Sequence, residues 1–180
     1  MPAADERQLI DEARSGSREA FRCLVETHMR QAYNLAFRFV NDHNAAEEVA
    51  QEAFVRVFQS LHSFRGEAGF STWLHRIVTN LSLNRLKATK RRSEESLDPA
   101  VHGMIPAAEG GGEIDLGAHV ERALHELPTL QRAVVILRHL NGMTTRDVGR
   151  ILNCSEGTVK THLFRGLEKM RVKLQYLKGE

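Results

Sequence analysis

The chain has 180 residues, of which 42% are hydrophobic and 27% charged, with a formal net charge of +2 at pH 7. This length suffices for one ordinary domain or two small ones, and the composition is typical of a soluble globular protein. The sequence contains no apolar run near the roughly 18 residues of a membrane span, and its first residues lack a secretion-signal pattern. We therefore expect a cytoplasmic protein with no membrane insertion.

The small net charge conceals a segregated chain. Residues 65–92 carry seven basic and one acidic side chain, residues 93–117 carry six acidic and no basic ones, and residues 141–180 carry eight basic and four acidic ones. Two positive blocks separated by a negative one indicate two contacts with a polyanion. Within segment 93–117, residues 93–115 hold two prolines and four glycines. Because it has no helical or strand period, we interpret it as a flexible acidic linker.

Two helices are predicted first in chain order. The first covers about residues 5–14, because Ser15 and Gly16 end it, and Ser17 caps the second. Cys23 lies among apolar positions of the second helix, so we expect a buried thiol there. The apolar face comprises Phe21, Leu24, Val25, His28, Ala32, Leu35, Ala36 and Phe39.

A third helix is predicted over residues 45–61, since Asn44 followed by Glu47 makes a capping-box-like start. Its inner face would hold apolar side chains and its outer face a polar stripe. A solvated surface is the commonest meaning of such a stripe, and a protein-docking surface is the alternative. The inward set is Val49, Phe54, Val57 and Phe58, and the stripe is Glu48, Gln51, Glu52 and Arg56.

The next segment combines aromatic rings, two glycines and a basic block. Rings that stack on exposed bases, interleaved with cations for the backbone, suit single-stranded nucleic acid, although aromatic residues are more often part of a core. A helix starts at Ser71 or Thr72 and runs to about residue 90. Asn80 and Asn84 share one face of it and can bond to base edges. The rings are Phe64, Phe70 and Trp73, the glycines are Gly66 and Gly69, and the cations are Arg76, Arg85, Lys87, Lys90, Arg91 and Arg92.

After the linker we predict helices over residues 118–127 and 130–140, with Pro128 at a helix start. A helix-turn-helix follows. Its first helix covers residues 145–152. The turn is made by Asn153, which tolerates the left-handed conformation, by Cys154, which we expect to pack, and by Ser155, which caps the second helix.

The second helix of this motif has an apolar and a basic face, which is the pattern of a helix held in the DNA major groove. The alternative is an amphipathic hairpin belonging to an all-helical core. The apolar face comprises Val159, Leu163, Phe164, Leu167 and Met170, and the other face Lys160, Thr161, His162, Arg165 and Lys169. The sequence as a whole predicts an all-α fold of two small domains.

Two other classes of protein compete with a chain that contacts nucleic acid through both of its positive blocks. An ordinary helix-turn-helix regulator explains residues 118–180 equally well but leaves residues 64–92 unexplained. An enzyme is disfavoured, because His125 and Glu126 begin like a zinc-protease motif while Pro128 breaks the helix and Thr129 replaces the second histidine. The cysteine spacing also matches no metal site. We expect no catalytic residues, no metal and no cofactor.

Taken together, these motifs resemble the extracytoplasmic-function sigma factors, the small two-domain initiation subunits of bacterial RNA polymerase. The Glu-Glu-Val-Ala-Gln-Glu-Ala-Phe helix at 47–54 resembles the family's region 2.2. Residues 64–80 resemble regions 2.3 and 2.4. Leu127-Pro128 with the following Gln-Arg and Leu-Arg pairs resembles the opening of region 4, and residues 156–165 resemble its −35 recognition helix.

The resemblance implies a region 2-like domain at residues 1–92, a linker at 93–117 and a region 4-like domain at 118–180. It implies −35 contacts by the recognition helix and Arg138, a −10 base pocket and helix face, and docking of region 2.2 on core RNA polymerase. It also implies an anti-sigma partner, which can hold the protein at the inner membrane face. The −10 residues are Phe64, Arg65, Gly66, Glu67, Asn80 and Asn84. The −35 residues are Arg138, Ser155, Thr158, Lys160, Thr161, Phe164 and Arg165. The polymerase-binding residues are Glu48, Gln51 and Glu52.

Three positions depart from the family pattern. His162 replaces a usual arginine, Asn153 replaces a usual glycine, and Gly149 stands where alanine is usual. The last change costs roughly 1 kcal/mol of helix propensity. None of the three threatens the predicted fold, and Trp73 is expected to support the loop rather than to read DNA.

Overall fold

A computed structural model of the chain describes residues 3–95 and 116–177. Those residues form eight α-helices and no strand, which confirms the predicted all-α fold. Short 3-10 turns follow the third helix at Leu61–Ser63 and the last helix at Gln175–Leu177, and a π-helical turn spans Val135–Leu140. The helices are α1 Ala3–Arg14, α2 Arg18–Val40, α3 His43–Ser60, α4 Phe70–Glu95, α5 Leu116–His125, α6 Thr129–Val134, α7 Thr145–Leu152 and α8 Glu156–Lys173.

The first domain is organised around α2, which contacts α1, α3 and α4. Its apolar face supplies Leu24, Leu35 and Phe39 to the core, as the sequence predicts. Ser17 caps the helix as predicted, accepting a hydrogen bond from the Ala20 amide at 3.2 Å. Burying an apolar stripe of this width accounts for most of the stability of such a helix.

Two details of α3 correct the sequence analysis. The helix is capped by Asp42, whose Oδ1 accepts the Ala45 amide at 2.7 Å, and not by Asn44. Phe58, predicted to face inward, is 63% exposed and makes only an edge contact with Phe21. Because Asp42 is the cap, the helix begins two residues earlier than predicted. The buried face continues through Phe54, Val57 and Leu61, and Phe58 lies beside it.

The second domain packs α6, the π-helical turn and α7 against α8. The predicted helix over residues 130–140 is therefore two pieces, because the Asn141 amide bonds to the Ile136 carbonyl five residues back. Val135, Ile136 and Leu137 are buried in succession within this turn, as Ala133 and Val134 are just before it. Periodicity of 3.6 residues does not predict that arrangement.

The predicted linker at 93–117 lies almost wholly outside the described residues. Helix α4 extends to Glu95, five residues past the predicted end, and α5 begins at Leu116. The two cysteines are free and half-buried, so the prediction of a buried Cys23 is too strong, whereas Cys154 does pack against the core.

The two domains lie against each other through α2 with α5 and α4 with α7. Their buried apolar residues form one continuous cluster that runs from Ile10 to Met170. Across the part of the chain that is described, no helix combines the length and apolar character needed to cross a membrane.

Candidate nucleic-acid interface

The aromatic segment between α3 and α4 forms a ring cluster around a pocket. Phe70 is fully buried and anchors the start of α4, while Phe64 and Trp73 are half-buried. The ring centroids of Phe64 and Trp73 are 5.0 Å apart, and those of Phe70 and Trp73 are 5.9 Å apart. Both sequence interpretations therefore apply, since one ring belongs to the core and two others line an open surface.

The pocket encloses about 290 Å³. Four of the predicted −10 residues meet there, namely Phe64, Arg65, Gly66 and Glu67. Gly66 has a φ of +69°, a left-handed conformation that a side chain disfavours, so the loop turns where glycine permits it. An apolar ring floor with charged groups at its rim suits a planar polar ligand such as a nucleobase.

The face of α4 beside the pocket is polar and exposed. Asn80 and Asn84 are both exposed on it, as predicted. Arg76 lines the pocket one helical turn before Asn80 and is also exposed. The sequence indicates Arg76 as part of a basic block, and its four-residue spacing from Asn80 places it on the same helix face.

A buried histidine lies on the inner side of the same helix. Burial, and secondarily the charge of neighbouring His28, lower the pKa of His75 to about 4. The His28 ring packs against Phe70 at 5.0 Å and bonds through Nε2 to Glu6 at 2.9 Å. A neutral His75 is thus part of the packing beneath the aromatic pocket at pH 7.

The recognition helix α8 is capped as predicted. The Ser155 hydroxyl accepts the Thr158 amide at 3.1 Å and is 2.9 Å from the Thr158 hydroxyl, so both of these predicted −35 residues help to fix the helix start. Thr161 donates its hydroxyl to the Gly157 carbonyl at 3.0 Å. Lys160 and Arg165 are exposed.

Phe164 is 66% exposed, which corrects its place on the apolar face of α8. The buried face is made by Val159, Gly166 and Met170, with Leu163 and Leu167 half-buried. A large exposed ring beside two cations is unusual on a surface helix, and it agrees with the −35 role that the family resemblance implies for Phe164.

The turn of the helix-turn-helix needs its two unusual residues. Asn153 adopts a φ of 51°, the left-handed conformation predicted for it. A Cβ at Gly149 would lie 2.8 Å from the Cys154 carbonyl oxygen. Glycine at this position is therefore explained by close approach of the turn, which outweighs its poor helix propensity.

The remaining predicted residues lie apart from these two surfaces. Arg138 is half-buried at the π-helical turn. Glu48, Gln51 and Glu52 are exposed on α3, as a docking face requires, and exposed Val55 and Phe58 lie on the same helix. Glu48 also bonds to Arg85 on α4 at 2.5 Å, a contact between the two helices that the sequence did not indicate.

Arg132 on α6 is a second residue whose place the sequence did not reveal. Its guanidinium donates to the carbonyls of His125 at 2.8 Å and Leu127 at 3.3 Å, and to the carbonyl of Phe39 in the first domain at 3.0 Å. Burial and the Arg132 charge lower the pKa of His125 to about 4. Among the described residues no group of three His, Cys, Asp or Glu side chains could hold a metal ion.

Comparison with known proteins matches the chain in two segments. The family model for Sigma-70 region 2 matches residues 24–92, and that for Sigma-70, region 4 matches residues 119–170. The ECF RNA polymerase sigma factor SigW of Bacillus subtilis is 31% identical over 184 residues, which cover 95% of this chain and 97% of SigW.

Two solved structures share the fold. The sigma factor RpoE of Bartonella quintana, solved in complex with the anti-sigma factor NepR, matches with a TM-score of 0.71 and 22% identity over 86% of this chain and 96% of RpoE. CnrH, solved in complex with the cytosolic domain of CnrY, matches with a TM-score of 0.69 and 24% identity over 96% of this chain and 98% of CnrH.

Proposed function

The chain belongs to the extracytoplasmic-function sigma factors of RNA polymerase, and we propose that its two exposed DNA-facing surfaces divide promoter recognition between the −10 and −35 elements. It is an alternative sigma factor that acts in transcription initiation and catalyses no reaction of its own. The observation that carries the proposed division is the order of the surfaces, because the aromatic pocket lies in the region 2 match and the capped basic helix in the region 4 match.

The pocket of the first domain takes a base extruded from the non-template strand of the −10 element. Phe64 offers a ring face for stacking, Arg65 and Glu67 offer polar groups at the rim, and Gly66 provides the turn. Extrusion costs a few kcal/mol, which a shaped pocket offsets. Asn80 and Asn84 extend the site along α4, with hydrogen-bonding groups for further bases or sugars.

Helix α8 reads the −35 duplex in the major groove. Lys160 and Arg165 supply cations, Thr161 and Phe164 supply a hydroxyl and an apolar surface for base edges, and Arg138 reaches the phosphate backbone. Ser155 and Thr158 hold the first turn of α8 in place, and the positive end of the helix macrodipole there favours a phosphate.

The exposed carboxylate stripe on α3 docks on core RNA polymerase. Glu48, Gln51 and Glu52 supply its polar part and Phe58 an exposed apolar anchor. Large exposed aromatic side chains are enriched at protein interfaces, which makes Phe58 a suitable centre for such a surface.

The division of the chain follows from these surfaces. Residues 1–92 bind polymerase and the −10 element, residues 118–180 bind the −35 element, and residues 93–117 connect them. The protein works in the cytoplasm, where an anti-sigma partner holds it inactive at the inner membrane face. Support for such a partner is the fold shared with RpoE and CnrH, since RpoE was solved with an anti-sigma factor and CnrH with the cytosolic domain of CnrY.

The first experiment is in vitro transcription by core RNA polymerase, with and without the purified protein, on pooled genomic fragments. We expect new 5′ ends that share −35 and −10 elements. Binding of the protein to DNA without polymerase, with no new transcript, would favour an ordinary helix-turn-helix regulator instead.

Three variants then separate the surfaces on a promoter so identified. Phe64→Leu keeps the packing on Trp73 but removes the stacking ring, so open-complex formation should fall about tenfold or more while closed-complex binding is retained. Lys160→Ala should weaken −35 binding and leave polymerase binding intact. Glu52→Arg should weaken polymerase binding, whereas Glu26→Arg, an equal charge change at an exposed position of α2, should not. Loss of polymerase binding in Lys160→Ala would contradict the division of roles.

A further inference from the structure

The aromatic pocket rests on a ring that does not line it. Phe70 is fully buried, and its ring centroid lies 6.0 Å from that of Phe64 and 5.9 Å from that of Trp73. Phe64 and Trp73 line the pocket, whereas Phe70 lies behind them. Edge contacts between rings have preferred spacings and angles, so the position of Phe70 determines how the two outer rings face a base.

Phe70 is in turn held by His28 of α2. The centroids of these two rings are 5.0 Å apart, and His28 is buried. Its Nε2 lies 2.9 Å from Oε1 of Glu6 on α1, and the two side chains are only 7% and 30% exposed. A carboxylate can only accept a hydrogen bond, so the Nε2–H group of His28 donates. This bond fixes which nitrogen carries a proton and how the ring is oriented.

Helix α1 reaches the pocket through this bond and through a turn. Among the described residues of α1, this is the only side-chain hydrogen bond to a residue more than four positions away. Ile10 and Ala13 anchor the helix in the core, and α1 also contacts the turn at Leu61–Ser63, which directly precedes Phe64. The match to region 2 begins at residue 24, so a helix outside that match supports the pocket from two sides.

We propose that Glu6 and His28 are positioning residues for the −10 pocket. Glu6 holds the His28 ring, this ring holds Phe70, and Phe70 sets the spacing of the two rings that receive the base. Without the carboxylate, a buried N–H group has no partner, so the His28 ring turns toward water and Phe70 loses its support. The positioning role rests on the proposed assignment of the pocket to the −10 element.

Four variants of the full-length chain test this role. Glu6→Ala removes the acceptor, whereas Glu6→Gln keeps one, because its amide oxygen can accept from Nε2–H. His28→Gln keeps a donor for Glu6 but removes the ring from Phe70. The matched control is Glu12→Ala, which removes an exposed carboxylate of the same helix that accepts a hydrogen bond from Gln8 at 2.9 Å. Cooperative thermal unfolding shows that each variant is folded.

The measurement is binding of holoenzyme to fork-junction DNA that exposes the non-template −10 strand of a promoter found by in vitro transcription. An abasic nucleotide is moved along this strand. The pocket base is the position that weakens binding most in the unmodified protein and causes no further loss in Phe64→Leu.

On the intact fork, Glu6→Ala and His28→Gln should each weaken binding about fivefold, less than the loss of a stacking ring itself. Combining them should cost no more than His28→Gln alone, because they act in series. Glu6→Gln should stay within about twofold of the unmodified protein, since a neutral acceptor replaces a charged one. Glu12→Ala should also stay within about twofold, because exposed polar pairs contribute little.

The abasic fork separates positioning from general destabilisation. With the pocket base removed, the loss caused by Glu6→Ala should disappear, and affinity for core polymerase should be unchanged throughout. No loss on the intact fork, an equal loss on both forks, or an equal loss in Glu12→Ala would overturn the positioning role and leave the −10 site standing. If no abasic position weakened binding by the unmodified protein, the −10 site itself would fail, and the positioning role with it.

Discussion

The aromatic pocket of the first domain is assembled from a loop, two half-buried rings and a wall formed by the other domain, whereas helix α8 of the second domain presents its side chains directly to solvent. In the pocket, each residue depends on the packing of its neighbours, since Phe64 lies on Trp73 and Trp73 on Phe70. On α8, the positions of Lys160 and Arg165 follow from a capped helix alone. Sites of the first kind are sensitive to the fold, and sites of the second kind are sensitive to single side chains.

The largest expected effect falls on α8. Removing both cations with Lys160→Ala/Arg165→Ala should weaken promoter binding by holoenzyme about 100-fold, because contacts with bases contribute about 1–3 kcal/mol each. The salt dependence of binding should also become less steep. Lys169→Ala, an exposed lysine outside the assigned contacts, should change affinity less than about threefold. Equal losses of promoter affinity in both variants would mean that α8 contributes only a nonspecific positive charge.

Acid lability should reveal the packing under the pocket. Because the pKa of His75 is about 4 in the folded chain and about 6.5 when unfolded, the unfolded state takes up the proton first as the pH falls. Stability is therefore complete above pH 6.5 and is lost toward pH 4, by about 2 kcal/mol between pH 7 and pH 5.

Urea unfolding at the two pH values measures this loss. His75→Gln should flatten the pH dependence, and His62→Gln, at an exposed position, should leave it unchanged. The pKa of His125 is also about 4, so the second domain should lose stability in the same pH range. If His75→Gln and the unmodified chain lost the same stability between pH 7 and pH 5, the His75 ring would not be the source of the pH dependence.

At Gly149, beside the turn of the helix-turn-helix, helix propensity and steric contact predict stability changes of opposite sign. Helix propensity alone predicts that Gly149→Ala stabilises the chain by about 1 kcal/mol. The Cys154 carbonyl, 2.8 Å from the new Cβ, reverses this, and we expect a net loss of about 1–2 kcal/mol in thermal unfolding. At Gly157 a Cβ meets only Ser155 Oγ at 3.7 Å, so Gly157→Ala should be neutral or stabilising. A stabilised Gly149→Ala would show that the turn can move away.

The smallest expected effect concerns helix caps. Asp42→Ala should cost about 1 kcal/mol in unfolding experiments, since it leaves the Ala45 amide without its acceptor, and Asn44→Ala should cost less. Ser155→Ala on α8 should cost a similar amount and should also weaken −35 binding, because it loosens the first turn of the recognition helix. Equal stability losses in Asp42→Ala and Asn44→Ala would mean that Asn44 also caps α3, as the sequence predicts.

Features that depend on local sequence could be predicted, and features that depend on tertiary packing could not. Helix positions and the caps at Ser17 and Ser155 are confirmed, because local periodicity and capping chemistry determine them. Errors occur where tertiary contacts decide, as in the exposure of Phe58 and Phe164, and where two neighbouring residues could both cap a helix, as at the start of α3. The role of Arg132 depends on a carbonyl 93 residues away, and no local pattern records such a distance.

The aromatic pocket likewise has a part that could be predicted from the sequence and a part that could not. That the four loop residues from Phe64 to Glu67 share one pocket could be predicted through the family resemblance, since they are consecutive. That α7 forms a wall of this pocket could not, because it requires knowledge of how the two domains pack. The assignment of individual residues to promoter elements remains a prediction.

The π-helical turn at Val135–Leu140 affects how the protein tolerates insertions and deletions during evolution. Such a turn is a one-residue insertion absorbed inside a helix, and each residue of an α-helix turns the chain by about 100°. Deleting one residue there would let the turn relax to α-helix, yet it would rotate Arg138 and everything after it relative to α6. Relatives that have lost or gained a residue at this point would therefore differ in the direction of their whole DNA-reading unit, even with every side chain of α8 unchanged.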